Sequence, residues 1–168
     1  EAETLSDLIK EARVWSSNNN GRQAESIMGR SMQESDIEQL MLWSYANFCS
    51  DGGYDGHPRG YGAFPRVLAN YVRERNLLSL EAAIEKMTSK PAAALGVDNR
   101  GIIRPGNKAD LVLFDLEAIQ DHATVENGQQ LSTGVSRVWV NGDLVFTNGN
   151  PTGARPGDVI KAIPYSSD

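Results

Sequence analysis

The sequence predicts an α/β fold in which consecutive βα units of a parallel sheet are followed by a segment of strands and turns. Three observations lead there. Over the first part of the chain, helical periodicity alternates with short apolar runs across short links, the rhythm of βα units. From Asp98 onward, helical patterning gives way to β runs separated by Gly, Asn and Pro. Between them, the run Asn47-Phe48-Cys49-Ser50 ends at Asp51-Gly52-Gly53, which puts a carboxylate at a strand end just where the chain turns away. A length of 168 residues suits one domain, or one domain and part of another. The expected division is 1–97 and 98–168.

In chain order, Leu5, Leu8, Ile9 and Ala12 recur at i, i+3, i+4 and i+7 and predict a helix, with Thr4 and Asp7 as a capping box at its start. Ser16 to Gly21 is a polar break, and Ala24 to Met28 is expected to be a short buried strand. Ser31 and Glu34 form a second capping box, opening a helix with Ile37, Leu40, Met41 and Ser44 on one side. The strand before Asp51 follows Trp43 and Tyr45. Beyond the loop, Pro65 is assigned to the first turn of a helix, where its missing N–H costs nothing. Val67, Leu68, Tyr71 and Val72 give that helix its apolar face, and Arg66, Arg73, Glu74 and Arg75 its solvated one. Ser79 caps a further helix with Ala83, Ile84 and Met87 inward. Pro91 restarts the helix and Gly96 ends it. Leu111 to Phe114 is an apolar strand. Val135 to Val140 and Asp143 to Thr147 form a hairpin about Asn141-Gly142, with a further turn over Asn148 to Pro151.

Charge and composition exclude several classes. Sixteen Lys and Arg against twenty-two Asp and Glu give a net charge of −6, which disfavours nucleic acid and anionic membrane as partners. The chain has no apolar run long enough to span a bilayer. Residues 1–20 lack the basic start and apolar core of a signal peptide. A cytoplasmic location is the favoured expectation. Cys49 is the only cysteine, which excludes an internal disulfide and a Cys-rich zinc site. It is expected to pack as a small apolar residue on its strand. His57 and His122 lie far apart and form no His-x-His pair, so no complete metal site is expected within this chain. His57 reads as a loop hydrogen-bonder and His122 as a surface residue.

Two residues suit catalysis and binding. A carboxylate at the C-terminal edge of a parallel strand is well placed for proton transfer. The plain alternative is that Asp51 closes a turn over Gly52 and Gly53. Arg59 carries a guanidinium, which binds a carboxylate through two parallel hydrogen bonds. Its alternative is a surface pairing with Asp55, itself read as a turn residue.

The runs Ser50-Asp51-Gly52, His57-Pro58-Arg59 and Phe64-Pro65-Arg66-Val67-Leu68 together resemble the C-terminal part of the N-acyl-D-amino-acid deacylases (D-aminoacylases), metal-dependent amidohydrolases. The likeness continues through Leu78 to Ala83, Arg100 to Gly106, Ala109 to Asp115, Val138 to Gly142 and Thr152 to Gly157, covering roughly residues 22 to 160. The Ala109-Asp110-Leu111-Val112 segment is similar to many amidohydrolases. The His-Pro-Arg and Phe-Pro-Arg-Val-Leu pair is narrower. The resemblance implies an α/β fold made of the last βα units of a metal-dependent (β/α)₈ TIM-barrel hydrolase and part of a small β-sandwich domain. A whole barrel takes about 250 residues. The resemblance also implies a zinc cofactor whose ligands lie mostly outside this chain. The implied partner is an N-terminal portion of the same enzyme, covalent or as a separate chain, and the implied substrate a small N-acyl amino acid. Asp51 then matches the family's general base and acid, and Arg59 its binder of the substrate carboxylate, on a loop a few residues shorter than usual. The alternatives are a cyclic-amide hydrolase of the dihydroorotase or hydantoinase kind, which would not call for the His-Pro-Arg loop, and a non-catalytic remnant of the fold.

Overall fold

A computed structural model describes residues 4–18, 32–52 and 57–160 and divides into two compact units, Glu1–Glu34 and Ser35–Asp168. The first unit carries helix α1 (Leu5–Asn18). Its predicted cap forms: Thr4 Oγ1 accepts the Asp7 N–H at 3.3 Å and donates to the Asp7 carboxylate at 2.6 Å. Thr4, then Lys10 at 3.1 Å, hold the Asp7 carboxyl below its ordinary pKa. The strand expected at Ala24 to Met28, and the Ser31 half of the second capping box, lie outside the described residues.

The second unit is helical first. It contains α2 (Glu34–Leu42), α3 (Arg59–Arg66) running directly into a π-helical stretch Val67–Glu74, α4 (Leu80–Met87) and α5 (Ser89–Ala94). Val67, Leu68, Val72, Leu78 and Ala83 form the core, sealed by Ile119 from the β part, with Met41, Ile84 and Met87 packed against it. The apolar face expected for Val67 to Val72 is therefore the buried one. Ser79 caps α4 as expected, its Oγ accepting the Ala82 N–H at 3.1 Å. Gly96 ends α5 in a Schellman motif: Val97 N–H reaches Ala92 O at 2.9 Å and Gly96 N–H reaches Ala93 O at 3.2 Å.

Pro65 departs from its expected place in a first turn. Helix α3 starts six residues earlier, so Pro65 is interior. The helix begins at Arg59 because the His57 and Pro58 carbonyls already accept the Gly60 and Tyr61 amides. A proline there removes the donor that the Tyr61 carbonyl would have used. That carbonyl instead accepts the Ser132 hydroxyl at 2.7 Å.

Of the solvated face expected on this helix, Arg66, Glu74 and Arg75 are exposed and Arg73 needs correction. Arg73 is mostly covered, and its guanidinium donates to the carbonyls of Leu116 at 3.0 Å and Ile119 at 2.6 Å and to Gln120 Oε1 at 2.9 Å. Charge periodicity cannot distinguish a wet arginine from one whose planar fork gathers the carbonyls of another segment. Arg75 pairs with Glu38 and stacks over Tyr71.

The strands β1 (Leu111–Phe114), β2 (Val135–Val140), β3 (Asp143–Thr147) and β4 (Asn150–Pro151) form one antiparallel sheet in that order. Asn141 and Gly142 both take positive φ, 51° and 93°, as a two-residue primed turn requires. The later turn is tighter than expected, since Asn150 and Pro151 already pair with β3. Gly134 is obligatory: its φ is +89°, and a Cβ there would lie 2.3 Å from Ile119 Cα.

One expected element is absent. Residues 47–51, read as a strand ending at Asp51, have no sheet pairing among the described residues. A strand exists only where a neighbour supplies a ladder of donors and acceptors, and among the described residues the one main-chain bond from 47–51 to another element is Phe48 N–H to Lys86 O at 2.9 Å. Cys49 is accordingly exposed, not packed as a strand residue.

Candidate active site

Asp51 and Arg59 come together although eight positions separate them. Asp51 has φ 42°, a left-handed conformation that Asp tolerates and that turns the chain out of its extended run. Gly52 then approaches Gly60, with 3.6 Å from the Cβ position of one to the Cα of the other. The loop between them is thereby closed at its base, and Asp55 and the rest of 53–56 lie outside the described residues. Arg59, in the first turn of α3, donates from Nε to the Asp51 main-chain carbonyl at 2.8 Å and lies 3.1 Å from its Oδ2. Both contacts use Nε, so the two terminal nitrogens keep their forked edge. His57 is half-buried and accepts the Arg59 N–H on Nδ1 at 3.2 Å, which makes it the loop hydrogen-bonder expected. His122 is exposed, 2.9 Å from Thr133 Oγ1.

Helix α3 is held from the β part. Gly62 packs so closely that a Cβ would stand 2.8 Å from Asp121 Cβ, and Arg66 reaches the same Asp121 carboxylate at 3.3 Å. The segment leading to Asp51 is held from α4. There Lys86, 4% exposed, donates Nζ to Trp43 O at 2.5 Å and to Ala46 O at 3.1 Å. Burial lowers its pKa, Lys90 lowers it further, and Glu85 offsets part of the shift. Sequence reasoning passed over Lys86. The available signal was a lysine in register with Ala83 and Met87 on the inward face of α4, a position that demands acceptors.

A second cluster gathers segments that the sequence pattern singled out. Asp110 pairs with Arg100 and accepts the Asn141 N–H at 2.8 Å, Arg100 donates to Asn141 Oδ1 at 2.6 Å, and Asn141 Nδ2 donates to Pro156 O at 2.6 Å. Burial alone would raise the Asp110 pKa, but the Asn141 amide and Arg100 outweigh it and hold the carboxyl below its ordinary range. A recess of about 350 Å³ opens beside this cluster, lined by Arg100, Asp110, Trp139 and Asn141. Neither Asp51 nor Arg59 lines it, and its polar groups bond to each other, so we place the candidate chemistry at Asp51 and Arg59. Among the described residues, no three His, Cys, Asp or Glu side chains converge as a metal site would require.

A model of the amidohydrolase family matches residues 45–146, a range that contains both Asp51 and Arg59, and the chain belongs to that family. It is 45% identical over 142 residues to an N-acyl-D-aspartate deacylase of Alcaligenes xylosoxydans xylosoxydans, covering 80% of this chain and 28% of that enzyme. Its fold is similar to that of an N-acyl-D-glutamate deacylase from Bordetella bronchiseptica, solved with zinc and a phosphonate inhibitor that mimics the tetrahedral intermediate. The TM-score is 0.73 at 40% identity, covering 78% of this chain and 28% of that one. A dihydroorotase of Lactobacillus gasseri is more distant, 28% identical over 97 residues, covering 52% of this chain and 23% of that enzyme. The chain thus spans little more than a quarter of the length of these two deacylases.

Proposed function

We propose that this chain is the C-terminal part of a zinc-dependent amidohydrolase that splits N-acyl-D-amino acids into a D-amino acid and a carboxylate. The observation that carries the reading is the 45% identity to a D-amino-acid deacylase over a range far longer than the 28% match to a dihydroorotase. In this reading, residues 1–97 are the last βα units of a (β/α)₈ barrel and 98–168 are part of a small β-sandwich. An N-terminal portion, covalent or separate, completes both. Residues 47–51, without sheet pairing among the described residues, would gain their ladder from barrel strands in that portion. The exposed Leu40, Leu42, Trp43 and Tyr45 support a further surface being laid against this region.

Amide hydrolysis needs an activated water, an acceptor for its proton and polarisation of the carbonyl. Asp51 takes the proton as the water oxygen adds to the acyl carbon. It returns that proton to the nitrogen as the C–N bond breaks, so the acyl part leaves as a carboxylic acid that ionises and the other part as an amine. Arg59 holds Asp51 through Nε and offers its terminal nitrogens to the substrate carboxylate, a two-pronged contact that orients the substrate. The described residues do not form a zinc site; a zinc held mostly by the N-terminal portion would supply the polarisation of the carbonyl.

The test is Asp51→Asn in the full-length enzyme, assayed on N-acyl-D-amino acids and on dihydroorotate. A general base contributes about 10²- to 10⁴-fold, so deacylase kcat should fall by that much with zinc content unchanged. Near-normal turnover would return Asp51 to a turn role, and wild-type hydrolysis of dihydroorotate in place of the N-acyl substrates would favour the cyclic-amide alternative.

A further inference from the structure

Lys86 is buried, titratable and unused by the mechanism above. An ammonium withdrawn from water is tolerated only where its N–H groups find partners. Those partners are two main-chain carbonyls, Trp43 O at 2.5 Å and Ala46 O at 3.1 Å. The same residue's carbonyl accepts Phe48 N–H at 2.9 Å, and the Phe48 ring centroid lies 5.7 Å from Nζ. From the next helix, Lys90 adds a bond to Ser44 O at 3.0 Å. One side chain and its own peptide group thus fasten the chain on both sides of Ala46, and Phe48 is three residues before Asp51. Further along, the hold passes to Arg59, at the Asp51 carbonyl.

We propose that Lys86 is a positioning residue for Asp51, its ammonium and carbonyl fixing residues 43–48 so that the carboxylate stands where proton transfer needs it. This rests on the reading of Asp51 as the base. Misplacing a reacting group by about 1 Å from a remote substitution can cost about 100-fold in rate, which makes such a fastening consequential. Lys86→Met keeps the length and apolar stem but removes the Nζ donor from both carbonyls, Trp43 O retaining the Ala46 N–H at 3.1 Å, whereas Lys86→Arg keeps the charge and the donors.

The experiment compares wild type, Lys86→Met and Lys86→Arg in the full-length enzyme. It measures steady-state kinetics on an N-acetyl-D-amino acid and amide hydrogen exchange in peptides 43–52 and 135–147. Lys86→Met should lower kcat about 10- to 100-fold with KM within about twofold, and should deprotect 43–52 but not 135–147. Lys86→Arg should recover part of both losses. The proposal is overturned if Lys86→Met keeps kcat and the protection of 43–52. It is equally overturned if both peptides open together, or if Lys86→Arg is no better than Lys86→Met. Should the wild type lack deacylase activity, the reading of Asp51 fails separately. The exchange of 43–52 then still decides whether Lys86 fastens the segment.

Discussion

Replacing Ser132 by Ala should matter in proportion to what Pro65 does to the helix beside it. Pro65 lies inside α3 and has no N–H, so the Tyr61 carbonyl lacks its usual helical donor and is served by Ser132 Oγ at 2.7 Å. Ser132→Ala leaves that half-buried carbonyl unpaired, at a cost of about 1–3 kcal/mol. Pro65→Ala restores the N–H that Tyr61 would have used, so in that background the same substitution should cost well under 1 kcal/mol. The expected coupling is about 1 kcal/mol, roughly a fivefold change in the opening equilibrium of the helix. The four proteins of this cycle are compared in the full-length enzyme by denaturant midpoint and by amide exchange of residues 59–66. The sign is the informative part, because removing a residue disfavoured inside a helix should reduce the damage done by a distant change. Additivity within about 0.3–0.5 kcal/mol would show that the two sites act independently and that the hydroxyl does not replace the lost donor.

Two further outcomes follow from the site and the sheet. Arg59→Ala should lower kcat/KM for an N-acyl-D-amino acid about ten- to a few hundred-fold more than for the matching amide, since a hydrogen bond to a charged group contributes about 1.5–3 kcal/mol. Equal losses on the two substrates would assign Arg59 wholly to Asp51, which its Nε already holds. Asp110 has a folded-state pKa below its unfolded value, so its contribution to stability is present above the ordinary aspartate pKa of about 3.9 and is lost as pH falls further. Asp110→Asn should therefore flatten the acid limb of a stability-versus-pH curve, and an unchanged slope would mean another carboxylate sets it.

How far the sequence could be read depended on whether an element's determinants lie within it. The bounds of the β2–β3 hairpin were legible to the residue because Asn141-Gly142 fixes the turn, whereas the register shift between Val138 and Trp139 was not. The α4 cap and the end of α5 were equally local, each decided by a single Ser or Gly and its neighbours. The run before Asp51 has the composition of a strand, yet its pairing depends on partners that these residues do not include. Pro65 and Arg73 failed for a related reason. Each looks like a surface or terminal residue until a distant segment, Ser132 or the 116–120 carbonyls, supplies what it lacks or takes what it offers. In the site, Asp51 and Arg59 could be named in advance, but their mutual contact through Nε could not, because it depends on a left-handed turn at Asp51 and the approach of Gly52 to Gly60.

The segments most like other amidohydrolases divide into two kinds by what their polar atoms touch. Asp110 of Ala-Asp-Leu-Val, Asn141 of Val-Asn-Gly, Arg100 and the Pro156 carbonyl are bonded to one another across four separate stretches of chain. Their donors and acceptors are consumed in joining β1 to the β2–β3 turn and the C-terminal tail, which leaves little to present to a substrate. Asp51 and Arg59 are the reverse case, with side chains 70% and 44% exposed and joined to each other through one nitrogen. An exposed ion pair of this kind contributes about 0–1 kcal/mol at most to stability. The fold therefore loses little if the pair shifts as the terminal nitrogens of Arg59 take up a carboxylate. The Asp110 cluster is thus the one that stabilises the scaffold, and Asp51 and Arg59 are the groups with bonding capacity to spare. That difference is a physical reason to look for substrate choice at Arg59 and not at the Asp110 cluster.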